Sequence, residues 1–159
     1  MEQYTFSENV EDNYKLMVQA VKAFLDGESN VIANLANASA IINEYVKAIN
    51  WAGFYLMEDG ELVLGPFQGK PACIRIPVGR GVCGTTVEKK ETIIVEDVHQ
   101  FPGHIACDAA SNSEIVIPIM KNGEVFGVLD IDSPEFNRFT ELEKKYLEEV
   151  VDIIEASLV

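Results

Sequence analysis

The stretch "EIVIPIMKNGEVFGVLDIDS", residues 114–133, holds two apolar-rich runs separated by Asn122-Gly123. Asn-Gly between such runs is a strong short-range signal for a tight hairpin, because both turn residues must enter the left-handed region. Alternate side chains of a strand share a face, so Asp130 and Asp132 point the same way, in line with Phe126 and Val128. Two carboxylates continuing an apolar face have two readings. Either the strand end leaves the core for solvent, or the pair forms a pocket floor that binds a cation or moves a proton. Counting back from an ideal turn pairs Ile115 with Asp130 and Glu114 with Ile131, which puts Glu114 on the opposite face. A bulge would reverse that, and Pro118 already marks a ladder that is not ideal.

Outward from this hairpin the chain alternates between helical and extended patterns. Val10, Tyr14, Met17, Val21 and Phe24 recur at helical spacing over residues 8–25, and Gly27 follows as a stop. Ile32, Leu35, Ile42, Val46 and Ile49 predict a second helix over residues 31–49. Residues 51–57 and 62–67 read as strands joined by Asp59-Gly60. "ACIRIPVG" alternates as a strand, "GVCGTTVEKK" is a short helix, and "ETIIVED" is another strand. "VHQFPGHIACDAASNS" is a long irregular loop, a kind of segment that is often functional. The closing helix, residues 140–158, has capping-box spacing at Thr140 and Glu143 and an apolar stripe of Leu142, Tyr146, Val150, Ile153 and Ile154. This order predicts an α+β fold in which helices cover one face of an antiparallel sheet and the other face is free for a ligand.

The composition bounds the function. The chain has 159 residues, 48% hydrophobic and 24% charged, which suits a single globular domain over residues 1–159. A formal net charge of −14 with scattered basic residues argues against a nucleic-acid partner, whose phosphates need a Lys/Arg footprint. No apolar run reaches membrane-spanning length, and the acidic N-terminus is unlike a signal peptide, so a cytoplasmic location and no membrane partner are expected. Three cysteines without a Cys-x-x-Cys pair make neither a disulfide framework nor a zinc motif. His99 and His104 flank only Cys107, which leaves a Cys/His metal-binding protein as a minor class.

Each cysteine has inert packing as its default. Cys73, in the alternating run, fits it best. Cys83 stands between Gly81 and Gly84 at a helix start beside Arg80, features that favour a thiolate. Cys107 sits next to Asp108 in the long loop. A loop cysteine together with others on the scaffold is a pattern for thiol–disulfide exchange. Trp51, the single tryptophan, is a core candidate that could instead hold an apolar or sulfur-bearing group against its ring.

"GRGVCGTT", "VHQFPGHIACDAASNSEIVIPI" and "GVLDIDSP" resemble the free methionine-(R)-sulfoxide reductases, a branch of the GAF-domain fold. The likeness runs from about Tyr14 to the last helix. "FPGHIACD" and "SNSEIVIP" are specific to that branch, whereas "GVLDI" alone indicates only a GAF domain. The resemblance implies attack of a thiolate on the sulfoxide sulfur, a sulfenic acid on that cysteine, condensation with a second cysteine to a disulfide, and reduction by thioredoxin. It implies Cys107 as nucleophile, against the local electrostatics that favour Cys83, with Cys73 and Cys83 as resolving candidates. Glu114 would be the acid that protonates the sulfoxide oxygen. Asp130 and Asp132 would hold the substrate ammonium, Trp51 would pack on its methyl end, and backbone N–H groups would take its carboxylate. No metal or organic cofactor is implied, and a homodimer is a candidate assembly. The rival function is a non-catalytic GAF sensor of a small molecule or of redox state, since a fold does not dictate a function.

Overall fold

A computed structural model describes residues 5–104 and 109–158. In chain order these form α1 (Val10–Leu25), α2 (Val31–Tyr45), β1 (Trp51–Glu58), β2 (Glu61–Gly69), β3 (Arg75–Pro77), α3 (Gly81–Lys89), β4 (Ile93–Val95), a 3-10 turn (Val98–Gln100), β5 (Ser113–Lys121), β6 (Glu124–Ser133) and α4 (Glu141–Ser157). The strands make one six-stranded sheet in the order β3-β2-β1-β6-β5-β4, antiparallel at every pairing. No helix among the described residues is long and apolar enough to cross a membrane.

Local chemistry starts and stops the elements near the expected places. Asn9 and Asn30 cap α1 and α2 by accepting the backbone N–H of Asp12 and Ala33, each at 2.9 Å. Asp59 and Asn122, with φ of 51° and 53°, adopt the left-handed backbone that the tight β1–β2 and β5–β6 turns demand. The second helix ends at Tyr45, short of the expected Ile49. The carbonyls that would continue it are taken from outside: Arg138 Nε donates to Lys47 O and Ser133 Oγ to Ala48 O. The run containing Cys73 is also less regular than its alternation suggests. Only residues 75–77 pair with β2, and Cys73 lies just before them.

The sheet separates two apolar layers. On one face α1, α2 and α4 pack over Phe54, Ile115, Ile117, Leu129 and Ile131. In that layer Tyr14, Met17 and Val21 are buried as expected, whereas Val10 and Ile32, at the first turns of their helices, are exposed. The opposite face carries α3 over Val116 and Val128, with Trp51, Tyr55 and Cys83 in the same layer. Thus three helices cover the expected face, and the fourth sits on the other without filling it.

The register of β5 against β6 corrects the ideal count. Lys121 faces Glu124 and Met120 faces Val125, but Ile119 faces Gly127, so β6 carries one extra residue. Beyond that bulge Val116 pairs with Asp130 and Glu114 with Asp132. Phe126, expected in line with Val128, instead packs against the helical layer. A Cβ on Gly127 would lie 2.4 Å from Tyr55 O, so the bulge needs a residue without a side chain where β6 meets β1.

Glu143 ties the helical layer together. Its carboxylate accepts the Thr140 backbone N–H at 2.7 Å and the Tyr14 hydroxyl at 2.8 Å, and it pairs with Arg138 at 3.4 Å. Burial raises its pKa, but the hydrogen bonds from Thr140 and Tyr14 and the Arg138 charge outweigh that and leave it below the ordinary value. We expect Glu143→Ala to destabilise the fold by about 2 kcal/mol at neutral pH, from a lost cap and a stranded hydroxyl. Because the folded-state pKa is depressed, this contribution is present above about pH 4.3 and fades as pH falls through the folded value. Thermal unfolding of both forms between pH 7 and pH 3 measures it.

Candidate active site

The second apolar layer contains a cavity whose floor is the β1–β6–β5 part of the sheet and whose wall is α3. Trp51, Tyr55, Cys83, Glu114, Asp130 and Asp132 all line it. The convergence follows from the bulge: Glu114 and Asp132 are directly opposed on β5 and β6, and Asp130 is next on the same face. Trp51 is opposite Asp132 on the other side of β6, which completes the floor.

Cys83 comes into this group because α3 docks closely. A Cβ on Gly84 would lie 2.4 Å from Pro77 O, so the second glycine of "GVCG" lets the helix lie against the chain leaving β3. Its neighbour Cys83 then points inward, buried, with Sγ 4.0 Å from Glu114 Oε2. The helix-start argument for a thiolate fails here. Burial first, and then the charges of Asp130, Glu114 and Asp132, push the Cys83 thiol well above its ordinary pKa. Gly84 serves packing, Gly81 supplies a left-handed φ of 63°, and Cys83 holds its proton.

The carboxylates show the same physics. Burial, followed by repulsion from Asp130 and Asp132, holds the Glu114 pKa well above the usual carboxylate range. Burial also raises Asp130, although hydrogen bonds from Glu114, Cys83 and Asp132 pull it back. The surroundings therefore favour the protonated form of Glu114, with Asp130 as the acceptor beside it. One oxygen of Asp130, Oδ1, is buried without a hydrogen-bond partner. A buried carboxylate oxygen in that state is a receptor for a donor or a cation.

The rim is aromatic. Trp51 is 3% exposed and stacks with Phe67 (ring centroids 5.1 Å apart, 16° between planes) and with Tyr55 (5.8 Å, 25°). Its indole N–H donates to Lys70 O at 3.1 Å, which fixes the ring and satisfies its only donor. Tyr55 was not singled out from the sequence. It shares the face of Trp51 by strand alternation, and its hydroxyl donates to Cys73 O at 2.9 Å, anchoring the segment that carries Cys73. His104 also lines the cavity, with its pKa lowered by burial and then by His99. His99 Nδ1 is 2.8 Å from Asp97 Oδ1.

Cys73 is half-buried and disulfide-bonded, while Cys83 is a free thiol. Cys107 lies outside the described residues.

This fold is that of a GAF domain. The chain belongs to the GAF domain family, whose sequence profile matches residues 22–159. Within that family it is similar to free methionine-R-sulfoxide reductases. The enzyme of that name from Escherichia coli is 57% identical over 136 residues, covering 86% of this chain and 82% of the relative. That from Saccharomyces cerevisiae is 44% identical over 164 residues, covering 98% and 91%. A solved structure of free methionine-R-sulfoxide reductase from Neisseria meningitidis in complex with its substrate superposes with a TM-score of 0.95 at 41% identity, covering 99% of this chain and 95% of that one.

A buried acid held neutral makes the fold less stable as pH rises. The raised folded-state pKa means that the favourable state is complete below the unfolded value of about 4.3 and is lost as pH climbs toward the folded one. We therefore expect Glu114→Gln to raise the melting temperature at pH 7 by about 4 °C or more. The gain should vanish near pH 4, and differential scanning calorimetry at the two pH values checks both halves.

Proposed function

We propose that this protein reduces free methionine-(R)-sulfoxide to methionine. The observation that carries the reading is the meeting of Glu114, Asp130 and Asp132 beneath an aromatic rim in one cavity. It is supported by the similarity to reductases of that name and to a relative solved with its substrate.

Each chemical need of the reaction has a residue. Oxide is a poor leaving group from sulfur until its oxygen is protonated, and Glu114, whose protonated form is favoured by burial and by Asp130 and Asp132, is the acid for that step. The substrate is a zwitterion whose ammonium needs buried anionic acceptors, for which the unpartnered Oδ1 of Asp130 is suited, with Asp132 beside it. The fixed indole of Trp51, which lines the cavity, packs on the methyl and thioether end. Since the carboxylates lie at the cavity floor, an amino acid whose nitrogen is in a peptide bond lacks the charge they bind, which favours the free substrate.

In the reaction the Cys107 thiolate attacks the sulfoxide sulfur, and Glu114 protonates the oxygen. The oxygen transfers to Cys107 as a sulfenic acid and methionine leaves. The Cys73 thiol then displaces hydroxide from that sulfenic acid, giving a disulfide and water, and a thioredoxin dithiol restores both thiols. Cys73 is favoured over Cys83 as the resolving residue because Cys73 is disulfide-bonded and Cys83 is a free, buried thiol with a raised pKa. The same raised pKa weighs against Cys83 as nucleophile. Turnover takes place in the cytoplasm, where thioredoxin is available, without a metal or organic cofactor.

Single-turnover reduction of racemic free methionine sulfoxide by the pre-reduced protein tests this. One methionine per chain and two thiols lost are expected, with no product from Cys107→Ser. Cys73→Ser should give one methionine and fail to turn over with thioredoxin, and Glu114→Gln should slow the first turnover by about 100-fold or more. Ligand binding without methionine from the native protein would return the chain to the non-catalytic sensors. Product from Cys107→Ser but not Cys83→Ser would move the nucleophile to Cys83.

A further inference from the structure

The cavity floor also has the donor set of a metal site. Sγ of Cys83 and one carboxylate oxygen each from Glu114 and Asp130 lie within 4.8 Å of one another, all three residues buried. They come from α3, β5 and β6, so three separate rigid elements hold them. A second observation points to a cation receptor: Asp130 Oδ1 is buried with no hydrogen-bond partner. Asp130 is 6% exposed and lines the cavity. Three acidic side chains and a thiol share this low-dielectric space, and no Lys or Arg among the residues lining it is buried to balance them; Arg80, at the mouth, is exposed.

We infer that this cluster binds one divalent cation of the zinc class through Cys83 Sγ, a Glu114 oxygen and an Asp130 oxygen. One thiolate with two carboxylates suits a borderline-soft ion such as Zn2+, not Mg2+ or Ca2+, which take oxygen ligands. Tetrahedral zinc with bonds of about 2.3 Å to sulfur and about 2.0 Å to oxygen puts those atoms about 3.5 Å apart. The 4.0 Å from Cys83 Sγ to Glu114 Oε2 is close to that value. A fourth position is open to water or to Asp132, which lines the same floor. On binding, the thiol releases its proton as the sulfur–metal bond forms, and Glu114 releases the proton it carries as its oxygen ligates. Affinity therefore rises with pH. The ion occupies the place assigned above to the substrate ammonium, so ion and substrate exclude each other. That exclusion rests on the reductase reading; binding of the ion does not.

Cobalt(II) is the probe, because a thiolate ligand gives it a near-ultraviolet charge-transfer band that carboxylates and imidazoles do not. The disulfide form of the protein is titrated anaerobically at neutral pH, with Cys83 as its free thiol. One Co2+ per chain with that band is expected, bleached by one equivalent of Zn2+ and absent in Cys83→Ser. Asp130→Asn should keep the band and weaken binding by at least about tenfold. No band in the native protein overturns the assignment, as does a band retained in Cys83→Ser or an Asp130→Asn variant with native affinity. If Cys83→Ser fails to fold by circular dichroism, the Asp130→Asn comparison decides alone. None of these readouts involves turnover, so a failure here is separate from a failure of the reductase assay.

Discussion

The one-residue bulge in β6 governs the chemistry of this molecule. With an ideal ladder, Glu114 would pair with Ile131 and lie on the opposite face of the sheet from Asp130 and Asp132. With the bulge it lies across from Asp132 and one step from Asp130. The bulge depends in turn on Gly127, where β6 passes so close to β1 that no side chain fits. A backbone irregularity remote from the cavity mouth thus determines which residues meet inside it.

Two buried glutamates show how environment divides one residue type into two roles. Glu143 is surrounded by donors, from Thr140, Tyr14 and Arg138, and its charge is welcome. Glu114 is surrounded by Asp130, Asp132 and a buried thiol, and its charge is opposed. The first stabilises the fold as an anion and fastens the start of α4 to α1. The second is retained at some expense of stability, which is usual where a neutral acid has work to do.

Much of this was legible in the sequence. Periodicity located the helices, and Asn122-Gly123 and Asp59-Gly60 located both hairpins. The pairing of Asp130 with Asp132 on one face followed from strand alternation alone. What escaped had physical reasons. A bulge cannot be counted from composition, because its local signs are Pro118 and Gly127, and both residue types have many other uses. The fate of Cys83 escaped because a helix N-terminus favours anions, while the carboxylates that override it come from β5 and β6, distant in sequence. The end of α2 escaped because the groups that capture Lys47 O and Ala48 O belong to Arg138 and Ser133. Tyr55 was within reach, four residues from Trp51 on the same face, and was hidden by its ordinary place in an apolar strand.

The edges of the sheet have their own consequence. β3 and β4, its outermost strands, are Arg75–Pro77 and Ile93–Val95, much shorter than the strands between them. Pro77 has no N–H to offer an incoming strand. Edge strands this short offer few unpaired backbone groups of their own for a further strand to template. The strands that carry Trp51, Asp130 and Asp132, β1 and β6, are paired on both sides, so a strand added at either margin would leave the pocket floor unchanged.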